Sequence, residues 1–401
     1  MTRAAPRRTP GSDDVNFGLL ALVVAVGFAG PLLAARDSWH VPVVVGELAA
    51  GIVIGVSGLR LVDPSSDDFT LLADIGFGLT MVVVGSQIPI RDTSLRGSIG
   101  RGILGALAVG VAAAVLGVGI AALFSSGHAA LYAVLLASSS AALVLPMLRS
   151  VGLSRGSLGQ LVAQIAVADI ACIVALPLVV APARAGGAAL AVAVIAIAAA
   201  ILAVVLVRLQ RTGARRRLHM YSERRRFALE LRLSLLVLFA FAAIAQFAGL
   251  SIMIAGFAVG LVLSAGTEPH RLARQLFGMT EGFFGPLFFV WLGASIDLRA
   301  LGAHPAMIVL GVVLGVAAVA AHLVSRAAGL PLGQGVASAG QLGVPVAAVT
   351  LGIRTGALLP GEDGAILLGA LVSVGFATLA VATLARRQKA AGAPTARDLR
   401  P

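Results

Sequence analysis

Apolar stretches of roughly 18–25 residues recur along this chain, the length that crosses a bilayer as a helix. Short polar turns separate them. The pattern predicts helices over 17–35, 40–58, 69–90, 102–124, 128–148, 157–181, 186–207, 228–248, 250–265, 275–296, 304–326, 333–353 and 363–385. That is an all-α polytopic membrane protein of about thirteen transmembrane helices. The longest polar stretches are a tail over 1–16, a tail over 388–401 and the segment 209–226, which leaves a single membrane domain over 17–387.

Composition agrees. Hydrophobic residues make up 59% of the 401 positions and charged residues 12%, with a mean hydropathy of +0.99. A soluble chain of this size needs more polar surface. The net charge of +12 does not point to nucleic acid, because the arginines lie scattered at the ends of apolar runs. On the predicted spans, Arg3, Arg7, Arg8, Arg60, Arg184, Arg299 and Arg354 fall on one side, and the remaining 23 of 30 Lys and Arg on the other. The positive-inside rule then puts the N-terminus outside and the C-terminus in the cytoplasm of a multi-pass plasma-membrane protein. The one cysteine, Cys172, excludes an intrachain disulfide.

Thirteen helices allow six plus a linker plus six, as in carriers built from two inverted repeats. The divisions are repeat 1 over 17–181, a linker helix over 186–207 and repeat 2 over 228–385. The fifth span contains ASSSAALVLP (Ala137–Pro146) and the twelfth ASAGQLGVPV (Ala337–Val346), each interrupted by small polar residues and a proline. Broken helices at matching positions of two repeats mark a transport site, although small residues also serve close helix packing.

Asp169 lies in the apolar run QIAVADIAC with no other charge between Arg155 and Arg184. An ionised, unpaired carboxylate at the bilayer centre costs several kcal/mol, so it pairs, faces a polar cavity or stays protonated. Such a group can exchange a proton for a cation; the bland alternative is a structural hydrogen bond from a protonated Asp169. Ser138, Ser139 and Ser140 offer oxygen ligands at the first break and Gln341 an amide at the second. Gln164, Glu47, Arg326 and His322 are candidates for the pathway or for charge compensation. The six histidines show no HExxH-type metal spacing. Neither a resident cofactor nor an enzymatic reaction is expected.

The motifs, in order, resemble the second family of monovalent cation:proton antiporters. VPVVVGELAAGIVIGVSGL (Val41–Leu59), LLADIGFGLTMVVVGSQIPI (Leu71–Ile90), SSSAALVLP, GLSIMIAGFAVGLVLS (Gly249–Ser264), FFGPLFFVWLGASIDL (Phe283–Leu298) and GQLGVPVAA (Gly340–Ala348) carry the likeness, which covers about residues 17–387. The resemblance implies two inverted six-helix repeats with two crossover helices, a homodimer in the bilayer, and monovalent cations and protons as partners. It maps the family's paired polar residues onto Ala168 and Asp169, keeping only the second. A usual lysine falls near Ala317 and a frequent glutamate at Val344. One titrating carboxylate implies electroneutral exchange of one Na⁺ or K⁺ for one proton. No nucleic-acid partner and no cytoplasmic nucleotide-binding domain are expected. The rival expectations are a carrier of another solute on the same plan and a non-transporting sensor or scaffold derived from an antiporter.

Overall fold

A computed structural model describes residues 16–35, 43–87, 97–140, 143–144, 147, 155–180, 182, 185–212, 229–248, 251–265 and 270–390. The tail before residue 16, most of the basic stretch over 209–226 and the tail beyond 390, which carry much of the charge asymmetry, lie outside these residues. In chain order the helices are α1 (Phe17–Gly27), α2 (Ala29–Ala34), α3 (Val43–Ile54), α4 (Asp67–Ser86), α5 (Ile99–Phe124), α6 (Ala129–Ala137), α7 (Arg155–Val180), α8 (Ala185–Arg211) and α9 (Leu229–Phe247). There follow α10 (Ile252–Ser264), α11 (His270–Met279), α12 (Gly285–Ser295), α13 (Leu298–Ala303), α14 (Pro305–Leu323), α15 (Leu332–Ser338), α16 (Gly343–Thr355) and α17 (Glu362–Ala390). A π-helical turn, Thr280–Phe284, joins α11 to α12, and a 3-10 turn, Val324–Ala328, follows α14.

Among the described residues there is no strand. Nine helical stretches among the described residues are long and apolar enough to cross a membrane, and Val43–Ile54, Leu231–Phe247 and Ile252–Ser264 are shorter apolar helices. Every predicted span overlaps a helix, with boundaries that tertiary contacts move. The span expected over 40–58 stops at Ile54: the chain turns at Gly55, Leu59 N–H bonds back to the Val53 carbonyl at 2.7 Å, and Leu61 N–H to that of Ile54 at 2.9 Å.

The chain divides into two compact units, one of residues 1–76 and 281–296, the other of 77–280 and 297–401. In the first, α3 and α12 touch backbone to backbone. A methyl group built on Gly51 would lie 2.2 Å from the Val290 carbonyl oxygen, so only small residues permit this approach. Trp291 Nε1 donates to the Pro64 carbonyl at 2.9 Å and Ser57 Oγ to that of Ile296 at 2.6 Å.

In the second unit α5 packs against α6 and α7, and α14 against α17. One line along α5 (Leu104, Leu107, Val111, Val115, Val118) is 61–69% exposed, while Val109, Ala113 and Ile120 are buried. A helix apolar all round with one face uncovered suits lipid, which is as apolar as the side chains. Val144, Leu158, Leu161, Ile165, Leu330, Ala337, Ala380 and Val381 form a buried cluster that ties α7, α15 and α17 beneath the break in the fifth span.

Candidate functional site

Both predicted breaks are present, and the second unit brings them together. α6 ends at Ala137, and Ser138 adopts extended backbone (φ −73°, ψ 150°). Helical bonding resumes only beyond the serines, with Val144 N–H on the Ser140 carbonyl at 2.9 Å. On the other side of the crossing α15 ends at Ser338, four residues intervene, and α16 starts at Gly343. Serines compete for backbone groups and glycine does not hold a helix, which is why these stretches break.

The two breaks bond to each other across some 200 residues of sequence. Ser138 Oγ donates to Gln341 Oε1. Ser139 Oγ donates to the Ser338 carbonyl at 2.7 Å. Ser138, Ser139, Ser140, Ser338 and Gln341 are all buried. Two half-helices, α6 and α15, therefore end where the breaks meet. Their carbonyl ends bring partial negative charge to the crossing, and the N-terminus of α16 brings partial positive charge. The first suits a cation, the second an ionised carboxylate.

His322 completes this network. It is fully buried in the last turn of α14, with Nδ1 2.9 Å from the Ala318 carbonyl. A carbonyl only accepts, so Nδ1 carries a proton. Nε2 then faces Ser139 Oγ at 3.2 Å, and one hydroxyl proton lies within reach of two acceptors, this nitrogen and the Ser338 carbonyl.

α7 packs against α6, α15 and α16 and carries Asp169, 3% exposed. Helical spacing sets Asp169 on one face with Ile165, Cys172, Ile173 and Leu176, all buried, whereas the adjacent Ile170 is 37% exposed. The carboxylate thus points into protein, not lipid. Ala168, where the family resemblance places a second polar residue, is buried beside it. Among the described residues no group of three or more His, Cys, Asp and Glu could hold a metal ion. The breaks themselves offer hydroxyl, amide and backbone carbonyl oxygens.

The other candidates lie elsewhere. Gln164 is buried on α7 against α5, where a methyl on Gly105 would stand 2.3 Å from its Oε1. Five residues along a helix is 140° around it, so Gln164 and Asp169 face different ways. Neither Gln164 amide atom finds a hydrogen-bond partner among the described residues. Arg326 is exposed on the 3-10 turn. Glu47 is buried in the first unit on α3, its Cγ 2.8 Å from where a Gly30 methyl would stand.

Sequence reasoning passed over one constellation. Glu362, with zero exposure, lies at the start of α17. Tyr132 Oη donates to its Oε1 at 2.7 Å, His128 Nδ1 stands 2.8 and 2.9 Å from its two oxygens, and the Leu359 N–H donates to Oε2 at 2.8 Å. A charge at a predicted helix end reads as solvated, so only the sequence LPGE, with Pro and Gly at the centre of a type II turn, hinted that Glu362 is held in place.

A model of the transmembrane domain of sodium/hydrogen exchangers matches residues 19–390. The chain belongs to that family. Two relatives of this chain are glutathione-regulated potassium-efflux system proteins KefC. That of Cronobacter sakazakii is 29% identical over 293 residues, 72% of this chain and 46% of its own length. That of Klebsiella pneumoniae is 28% identical over 324 residues, 79% of this chain and 51% of its own. The chain thus spans about half the length of these relatives. The solved structure of the sodium proton antiporter MjNhaP1 from Methanocaldococcus jannaschii shares its fold, with a TM-score of 0.61 at 18% identity over 92% of this chain and 95% of that one.

Proposed function

We propose that this protein is a secondary transporter that passes a monovalent cation, Na⁺ or K⁺, in one direction and protons in the other. The observation that carries this reading is the meeting of two interrupted helices, bonded through Ser138–Gln341 and Ser139–Ser338, on the flank of the helix that holds Asp169. The family and the names of its relatives, potassium-efflux systems and a sodium proton antiporter, support it.

In the proposed cycle Asp169 holds either a proton or a cation. Burial favours the neutral acid, and a cation stripped of water favours the carboxylate. Competition for one carboxylate couples the two fluxes without a second site. Hydroxyls and carbonyls at the crossing supply hard oxygen ligands, with Ser138, Ser140 and Gln341 the nearest side chains to the breaks. His322 holds Ser139. With Ala168 beside it, Asp169 carries one proton per cation, hence electroneutral exchange. The reading includes two inverted six-helix repeats about the linker helix, an N-terminus outside, a C-terminus in the cytoplasm and a homodimer.

The test is proton flux in liposomes holding purified protein and an internal pH dye. Addition of Na⁺, K⁺ or Li⁺ should release protons, and Asp169→Asn should abolish the release. Folded wild-type protein that moves no protons with any cation overturns antiport. Flux that grows steeply with membrane voltage overturns electroneutrality.

A further inference from the structure

The cluster around Glu362 stands at the far end of α6 from the crossing, and the proposed exchange gives it no role. Its hydrogen bonds account for a buried carboxylate. Oε1 accepts from Tyr132, Oε2 from the Leu359 N–H, and His128 Nδ1 stands within hydrogen-bond distance of both oxygens. The start of α17 adds the favourable end of a helix dipole. Glu362 is itself held: its N–H bonds to the Leu359 carbonyl at 2.9 Å, and Gly361 between them sits at φ +80° with its Cα hydrogens against the backbone of Leu301. His128 and Tyr132 are four residues apart and so share one face of α6, and their rings meet edge to face at 6.3 Å.

Two facts make this more than a surface joint. α6 has nine residues, about 14 Å of helix, and its other end is the break at Ser138. α17, which carries Glu362, packs against α14, α15 and α16. It backs directly on the second break, since a methyl on Gly340 would lie 2.8 Å from Ala377 Cβ. One carboxylate therefore ties the first half-helix to the helix that supports the second break. Neighbouring joints, such as α14 on α17 at Gly311 and Gly315, are made of small and apolar residues. Hydrogen bonds set direction and depth where apolar contacts let helices slide.

We propose that His128, Tyr132 and Glu362 are positioning residues: they set the height of α6 against α17, and thereby the meeting of Ser138 with Gln341. The proposal rests on the exchange reading for its kinetic consequence only.

Tyr132→Phe, the mild variant, removes one hydroxyl; Glu362→Gln removes the charge; Glu362→Asp keeps it on a shorter arm. In the liposome assay the first two should raise the apparent cation KM by about three- to tenfold, the scale of one interhelical hydrogen bond in a membrane protein, with the maximal rate within about twofold. Glu362→Asp should return part of the loss. Ser251→Ala deletes the cap on the α10 N-terminus, where Ser251 Oγ accepts the Met253 N–H at 3.2 Å; it should lower thermal stability without moving KM. Hydrogen–deuterium exchange supplies a readout independent of transport. Tyr132→Phe and Glu362→Gln should speed exchange in α6 and at 138–140 but not in α10. Wild-type values of KM and of α6 exchange in both variants overturn the proposal, as does a KM shift of equal size in Ser251→Ala. If wild type moves no cation, antiport fails while the exchange pattern still decides the anchor.

Discussion

Replacing Ser138 with alanine removes one hydroxyl and orphans one amide. The Leu135 carbonyl, 2.9 Å from that hydroxyl, keeps the Ser138 N–H at 3.2 Å. Gln341 Oε1 loses its donor and is 3% exposed. An orphaned buried acceptor costs about 1–3 kcal/mol. Gln341→Leu removes the other partner and leaves Ser138 its bond to Leu135, so it should cost less. The double variant Ser138→Ala/Gln341→Leu removes both partners of this bond together. Interhelical hydrogen bonds in membrane proteins couple by roughly 0.6–1.7 kcal/mol, so the two single losses should exceed the double loss by that amount. The same coupling read from the apparent cation KM is about 3- to 18-fold. The cycle requires thermal unfolding in detergent and flux titrations of four proteins. Additivity within about 0.3 kcal/mol in both readouts refutes the claim that the two breaks hold each other through this pair.

Gly117→Ala places a methyl 2.7 Å from the backbone nitrogen of Ala133, whereas a methyl on Gly119 meets nothing within 4 Å; the first should cost about 1–3 kcal/mol of stability and slow flux, and the second should be neutral or stabilising by about 0.5–1 kcal/mol. Equal melting temperatures for the two variants contradict the close α5–α6 packing. Gly361→Ala meets both a left-handed backbone at φ +80° and the Leu301 Cα at 3.1 Å; a loss of about 1–2 kcal/mol is expected from the backbone alone, checked by thermal unfolding. Asp63 lies in the turn after α3, where the Ser65 hydroxyl at 2.6 Å and then its N–H at 2.9 Å hold the carboxyl below the usual carboxylate range. A lowered carboxylate stabilises above its ordinary pKa of about 3.9 and loses that contribution as pH falls through the lowered value. An NMR titration should give a midpoint below the ordinary value, and Ser65→Ala should raise it.

The membrane class and the positions of the helices were legible in the chain because a bilayer imposes a length and an apolar composition that need no tertiary knowledge. The two breaks were legible for the same local reason, since SSS and GQLG do not sustain a helix. That Asp169 lies buried in protein was legible because a lone charge in an apolar run is costly in lipid. The divergence of Gln164 from Asp169 was also in the sequence, as a phase difference of five residues.

Which side chains meet was not. Ser138 bonds Gln341 at 203 residues' separation, and His322 meets Ser139 at 183. Arg326 and His322 are four residues apart, yet one is exposed beyond the end of α14 and the other is sealed in its last turn. Glu362, a charge at the start of a helix, is fully buried only because His128 and Tyr132 arrive from α6. Hydropathy is a sum over one segment and fixes where that segment resides. A hydrogen bond depends on the relative height and rotation of two helices, which the packing of the whole unit sets.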